Sequence, residues 1–229
     1  MKRERTKPSW SVSRHEEELR RNLGHWKNKP ILRKIYRVFH NEIAKHLVGH
    51  IDAPVVELGS GIGNIKETIP GCVRTDLFSN PWIDQVENAY HLSYGDHAVS
   101  NLILFDVFHH LEFPGSALAE FHRVLSPEGR VIIFDPCVSL LGLVAFGLFH
   151  HEPLALTKSI QWRAPSDWSP DEDHYYAAQG NAYRVFFSRK YQPYLLDWKI
   201  LRRHRMSAIS YIASGGYSKL HSIPLRPFP

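Results

Sequence analysis

Short apolar, β-branched runs alternate with amphipathic stretches through the middle of this chain, and turn residues separate them. Val55-Val56-Glu57-Leu58 opens the series as a buried strand, and 65–69 reads as the start of a helix. Residues 53–76 thus hold two strands with a helix between them. Residues 81–86 predict a short helix, and Asn88-Ala89-Tyr90 falls where a third strand ends. Asn101-Leu102-Ile103-Leu104-Phe105 is a fourth buried strand. An amphipathic helix follows over 116–125, with Leu118, Phe121, Val124 and Leu125 on one side. Ser126-Pro127-Glu128-Gly129 has the composition of a type I or II turn, and 130–134 is a fifth strand that ends at Asp135. Strands alternating with helices predict an α/β fold with a doubly wound, mostly parallel sheet.

The flanks differ from this core. Ser13-Arg14-His15-Glu16 has the form of a capping box for a helix over 17–23 that Gly24 stops. Pro30 opens a longer helix with an apolar stripe of Ile31, Ile35, Phe39, Ile43 and Leu47, and Gly49 is placed to cap it. This part reads as a helix laid on the sheet, or as a cap that brings Trp26 or Tyr36 near a ligand. Residues 138–149 are almost wholly apolar, yet far short of the roughly 20 residues that span a bilayer. They suit a cover over the cleft, or a greasy lid for a lipid-bearing acceptor or a membrane surface. Residues 162–176, rich in Trp, Pro, Asp and Tyr, predict a structured loop. Residues 183–188 predict a helix or strand, 198–212 a closing antiparallel strand pair, and 214–217 a turn. The organisation expected is an N-terminal helical cap over 1–50 and one domain over 51–229, with an insertion at about 137–185.

Composition changes this picture little. A net charge of +5 resides largely in the first 29 residues, interleaved with acids, and no basic–aromatic module points to nucleic acid. Two cysteines, Cys72 and Cys137, make no disulfide framework and suit a reducing cytoplasm. No apolar run follows the basic start, so no signal peptide is expected. The 15 histidines are scattered, and none pairs with cysteine at metal-ligand spacing, so no metal is expected.

The chemistry concentrates after the first strand. Glycines at 59, 61 and 63 let the chain turn sharply and let a ligand lie on bare peptide, at the carboxyl edge of a parallel sheet. A dinucleotide fingerprint needs a glycine at 64, where this chain has Asn64, which disfavours a nicotinamide oxidoreductase. Asp76 stands 19 residues after Glu57, the span of one strand–helix–strand step, where a carboxylate accepts from both ribose hydroxyls.

The pattern acidic-x-Gly-x-Gly-x-Gly resembles motif I of class I S-adenosylmethionine (SAM)-dependent methyltransferases. The stretch DVFHHLEFPGSALAEFHRVLSPEGRVIIFD resembles the signature that follows strand four in their type 11 branch. The likeness covers about residues 50–136, with Asn101 in place of the usual acid. It implies a seven-stranded Rossmann-like sheet, SAM as cofactor, and Asn88 and Ala89 beside the adenine. It also implies a C-terminus trimmed soon after Gly216. The candidate cofactor contacts are Glu57, Gly59, Ser60, Gly61, Gly63, Asp76, Leu77, Asn88, Ala89, Asp106 and Val107. Glu57 is expected to fix the turn through backbone N–H groups, and Asp106 to face the methionine amino group.

His109 and His110 follow strand four, and Asp135 ends the neighbouring strand. Histidine is a natural base near neutral pH, and a carboxylate can hold its tautomer. The same placement occurs in bacterial sugar O-methyltransferases that this sequence resembles, with the first histidine as base. HWKNKPILRKIYRVFH also looks like methyltransferases of glycan assembly. The expectation is methyl transfer to a hydroxyl of a small or lipid-linked acceptor, with a sugar favoured. The enzyme would be cytoplasmic, with peripheral contact at the inner face of the membrane allowed, and would have no nucleic-acid partner. The alternatives are N- or C-methylation of a small metabolite, or a SAM-fold binding protein without activity.

Overall fold

The computed structural model describes residues 12–137, 159–169, 176–178, 180–206 and 216–217. Its centre is a five-stranded sheet of β1 (Val55–Leu58), β2 (Val73–Asp76), β3 (Gln85–Val86), β4 (Val99–Phe105) and β5 (Leu125–Phe134). The order is β3-β2-β1-β4-β5 and every neighbouring pair is parallel. The chain steps from β1 outward to β3, then returns to lay β4 on the other side of β1. That reversal opens a crevice beyond the carboxyl ends of β1 and β4, where doubly wound sheets bind ligands.

Strand β4 shows why a parallel sheet needs an unbroken apolar run. Leu102 and Leu104 join one core with Leu118 and Phe121 of α3 (Pro114–Val124) and Val185 of α4 (Asn181–Phe187). Ile103, one residue out of phase, joins a second core with Ile43 of α2 (Pro30–Ala44) and Ile65. Alternate side chains point to opposite faces and both faces are covered. Asn101 is the polar exception. Its amide oxygen accepts from the Val48 N–H at 2.9 Å and its amide nitrogen donates to the Val48 carbonyl at 3.0 Å, tying the chain after α2 to the sheet.

Several expected elements take another form. Among the described residues the sheet has five strands, not seven. Residues 198–206 carry no strand, and 207–212 lie outside the described residues, as do 138–149. Trp198 donates its N–H back to Leu195 and packs on the core, so the chain bends there rather than running extended. Residues 81–86 do not form a helix. Asn80 Oδ1 accepts from the Trp82 N–H, and the Asp84 carboxylate takes both the backbone N–H and the guanidinium of Arg74. These bonds pin the chain beside β2, and Gln85–Val86 joins the sheet as β3.

The first helix, α1 (Val12–Asn28), begins before the supposed capping box and runs through Gly24. A helical glycine costs about 1 kcal/mol, which the burial of Leu19 and Trp26 offsets. In α2 the buried side is Leu32, Ile35, Tyr36, Phe39, His40 and Ile43. Ile31 lies outside that stripe, and Gly49 is not the cap because the helix stops at Ala44. The segment after β1 is one 3₁₀ turn, Asn64–Glu67, instead of an α-helix. Pro70 follows closely, and a proline disfavours the helical conformation of the residue before it. Over 126–129 the pairing of β5 with β4 slips, and Glu128 takes φ +64° at the third position of the turn, as type II geometry requires.

Candidate active site

The three glycines after β1 are all left-handed, with φ of +68° at Gly59, +53° at Gly61 and +67° at Gly63. Their surroundings separate their roles. A Cβ on Gly59 would stand 2.5 Å from Val107 Cγ2, and one on Gly63 would stand 2.4 Å from the Trp82 carbonyl oxygen. Those two are glycine because neighbouring protein fills the space. Among the described residues, a Cβ on Gly61 would meet only Leu19 Cδ2, at 3.6 Å. Gly61 is therefore the glycine that leaves peptide bare on the crevice side.

The turn is tied to β2. Ser60 N–H donates to the Thr75 carbonyl at 2.8 Å, and Thr75 Oγ1 donates to the Glu57 carbonyl at 2.8 Å. Asp76 Oδ2 accepts from Gly61 N–H at 2.9 Å, and Oδ1 accepts from Leu77 N–H at 2.8 Å. Burial raises the pKa of this carboxyl, while the nearby His15 pulls it the other way. Glycine turn and carboxylate are thus one unit, with an acidic acceptor beside bare peptide. That is what an adenosyl ribose requires.

Glu57 does not fix the turn through backbone N–H groups as expected, because Thr75 and Asp76 take them. Its carboxyl lies buried beneath, with Oε2 lacking a hydrogen-bond partner among the described residues. Burial pushes its pKa up to about 7, only partly opposed by the Ser60 hydroxyl. A carboxyl raised in the folded state stabilises fully below its unfolded value, near 4.5, and that stability is lost as pH rises through about 7. Glu57→Gln is therefore expected to leave stability at about pH 4 nearly unchanged and to raise it at about pH 8 by about 3 kcal/mol. Thermal unfolding at both pH values checks this. Equal pH dependence in the two proteins would exclude Glu57 as the titrating group.

At the ends of β4 and β5 the chain brings three of the predicted residues together. Asp106 has φ +62°, and its N–H donates to the Phe134 carbonyl at 2.8 Å, which turns its side chain out of the sheet. His109 Nδ1 lies 3.1 Å from Asp135 Oδ1 and 3.9 Å from Asp106 Oδ1. The His109 and Asp135 side chains are each 1% exposed, so water does not screen the pair. Asp135 Oδ2 is buried without a hydrogen-bond partner among the described residues. An ionised carboxylate only accepts, so Nδ1 of His109 carries the proton in this pair. His110 turns elsewhere, and its Nδ1 donates to the Tyr176 carbonyl at 2.9 Å while its ring rests 4.0 Å from that of His109. One ligand atom each from Asp106, His109 and Asp135 lies within 4.8 Å of the others, an arrangement that could also hold a cation. Sequence spacing gave no sign of it, because the three come from two strand ends.

Of the other predicted contacts, Leu77 is exposed beside Asp76, and Val107 packs on Gly59. Asn88 Oδ1 accepts from Tyr90 N–H and shapes the turn that carries Ala89. Two residues at the site lie in α1 and were not foreseen as site residues. His15 Nε2 is 3.8 Å from Asp76 Oδ1, and Leu19 reaches Gly61. No motif marks them, since only the docking of α1 brings them there.

Residues 57–133 match the model of the family described as a methyltransferase domain. No curated protein matches the chain. Among solved structures, one described as a SAM-dependent methyltransferase from Methanococcus maripaludis is 14% identical over 59% of this chain and 68% of its own, with a TM-score of 0.42. Another so described, from Thermotoga maritima, is 15% identical over 59% of this chain and 69% of its own, at 0.47. A methyltransferase described as from an antibiotic biosynthesis pathway of Anabaena variabilis is 17% identical over 44% of this chain, at 0.35. The chain spans about half of that protein's length, 46%. The segment that matches the methyltransferase-domain model contains the glycine turn, Asp76, Asp106 and His109.

Proposed function

We propose that the protein transfers a methyl group to a hydroxyl of a small or lipid-linked acceptor, with a sugar favoured. The buried contact of His109 Nδ1 with Asp135 carries this reading. A protonated hydroxyl is a weak nucleophile, and a positioned base contributes about 10²–10⁴-fold. Bound SAM would supply the methyl on a sulfonium, whose thioether leaves readily. In this reading the residues of the chain do the rest. The turn at Gly59, Gly61 and Gly63, with Ser60, and the Asp76 carboxylate hold the adenosyl part. Asp106 meets the methionine amino group, and Asn88 and Ala89 flank the adenine. His109 takes the hydroxyl proton at Nε2. Asp135 keeps Nδ1 protonated and stabilises the cation that forms. His110, held on the Tyr176 carbonyl, packs the base in place and is assigned no proton.

The N-terminal helices serve as the cap. Tyr36 and Phe39 of α2 pack on Phe105 and Phe134 at the strand ends, and α1 lies over the turn. Among the described residues no helix is long and apolar enough to cross a membrane. A lipid-linked acceptor would then be met at the membrane surface, from the cytoplasmic side.

Binding of S-adenosylhomocysteine, followed by a screen of glycan and lipid-linked acceptors for methyl label from SAM, tests the proposal. Label is expected on a hydroxyl oxygen, as an ether stable to mild base. Label found on nitrogen or carbon would overturn it in favour of N- or C-methylation. Cofactor binding with no transfer to any acceptor class would favour a SAM-fold binding protein.

A further inference from the structure

We propose that α1 is the outer wall of the cofactor cleft, and that His15 is a further cofactor-binding residue that bridges a ribose hydroxyl to Asp76. This rests on the assignment of Asp76 as the ribose acceptor. Three contacts place the helix. His15 Nε2 lies 3.8 Å from Asp76 Oδ1, with side-chain exposures of 16% and 9%. The His15 ring meets the Phe78 ring at 5.1 Å between centroids. Leu19, one helical turn on and buried, faces Gly61 at 3.6 Å from its Cβ position. Residues four apart share a helix face, so a single face of α1 spans from the ribose carboxylate to the bare peptide of the turn.

The distance decides the chemistry. A nitrogen–oxygen hydrogen bond closes by about 3.2 Å, so 3.8 Å is too long for a direct one. One oxygen at roughly 2.8 Å from both atoms fits between them. That oxygen would accept from the imidazole N–H and donate to the carboxylate. A hydroxyl performs both functions at once, and neither Gly61 N–H nor Leu77 N–H, which donate only, can replace it. His15 thereby adds a donor to a ribose site that otherwise offers only an acceptor side chain.

Calorimetric titration of the full chain with S-adenosylhomocysteine and with its 2′-deoxy and 3′-deoxy forms tests the bridge. Wild type is expected to bind more weakly once a hydroxyl is removed. His15→Ala is expected to bind S-adenosylhomocysteine about tenfold more weakly, and to lose less than the wild type on removal of the bridged hydroxyl, since only the bond to Asp76 is then left to lose. His15→Gln, which restores a donor, is expected to recover part of the difference. His15→Phe, which keeps a ring against Phe78 without an N–H, should behave like His15→Ala and replaces it should that variant not fold. Wild-type affinity in His15→Ala or His15→Phe overturns the bridge. So does an equal loss for S-adenosylhomocysteine and both deoxy forms. Failure of the wild type to bind S-adenosylhomocysteine would overturn the cofactor assignment and the bridge with it, whereas the other adverse results overturn the bridge alone.

Discussion

Asp76→Ala is expected to weaken SAM binding by about 10²–10⁴-fold, the largest effect of any single substitution outside the core. The buried carboxylate would hold two ribose hydroxyls, and each hydrogen bond to a charged group is worth about 1.5–3 kcal/mol. It also anchors the turn through Gly61 N–H at 2.9 Å, so its loss frees the bare peptide as well. Gly61→Val should act in the same direction by another route. Its φ of +53° suits glycine, and a branched side chain would project from the surface proposed to hold the cofactor. Gly63→Ala makes the contrast. There a Cβ would stand 2.4 Å from the Trp82 carbonyl, so the expected result is lost folding rather than lost affinity. Calorimetry with S-adenosylhomocysteine, beside thermal unfolding, separates the two cases. Near-wild-type affinity in both Asp76→Ala and Gly61→Val would remove the basis for the cofactor site.

His109→Ala is expected to lower kcat by about 10²–10⁴-fold while SAM affinity stays close to that of the wild type. The imidazole lies at the end of β4 and contacts Asp135, not the glycine turn, so cofactor affinity has little reason to change. Asp135→Asn should follow it in kcat. An amide can present a donor where the carboxylate only accepts, and the tautomer with Nδ1 protonated is no longer favoured. Because both side chains are buried, Asp135→Asn is the better probe, as Asp135→Ala would take the carboxylate from Nδ1 and leave a cavity. His110→Ala is expected to change kcat far less, since its Nδ1 is engaged by the Tyr176 carbonyl. The pattern that matters is a fall in kcat shared by His109→Ala and Asp135→Asn and not by His110→Ala. Full turnover in His109→Ala would exclude it as the base and turn attention to acceptors that need none.

Some of the site was legible because its signals are local. A turn of three left-handed glycines can be read from spacing alone, since so few residues adopt that backbone. The partner carboxylate at 76 follows from the length of one strand–helix–strand step. The His109–Asp135 contact was legible only through topology. Residues 26 positions apart meet at 3.1 Å because β4 and β5 are neighbours in register, Phe105 beside Phe134.

Other features resisted sequence reading for equally physical reasons. The 81–86 stretch has a helix-like start at Pro81, but the Asn80 side chain turns it at Trp82 and the bonds of Asp84 to Arg74 hold it against β2. Gly24 is a helix breaker by propensity, yet buried neighbours on α1 carry the helix through it. Glu57 looked like an anchor for turn amides, whereas β2 reached those amides first.

By itself the sequence determined the parallel α/β core, the glycine turn and the place of the Asp76 carboxylate, since backbone conformation and strand periodicity are properties of short segments. Only the tertiary structure decided which glycine faces the cleft, that His109 pairs with Asp135 while His110 does not, and that His15 and Leu19 of the first helix stand beside Asp76 and Gly61. Those facts depend on how distant segments pack, and packing is set by the whole chain rather than by any one stretch of it.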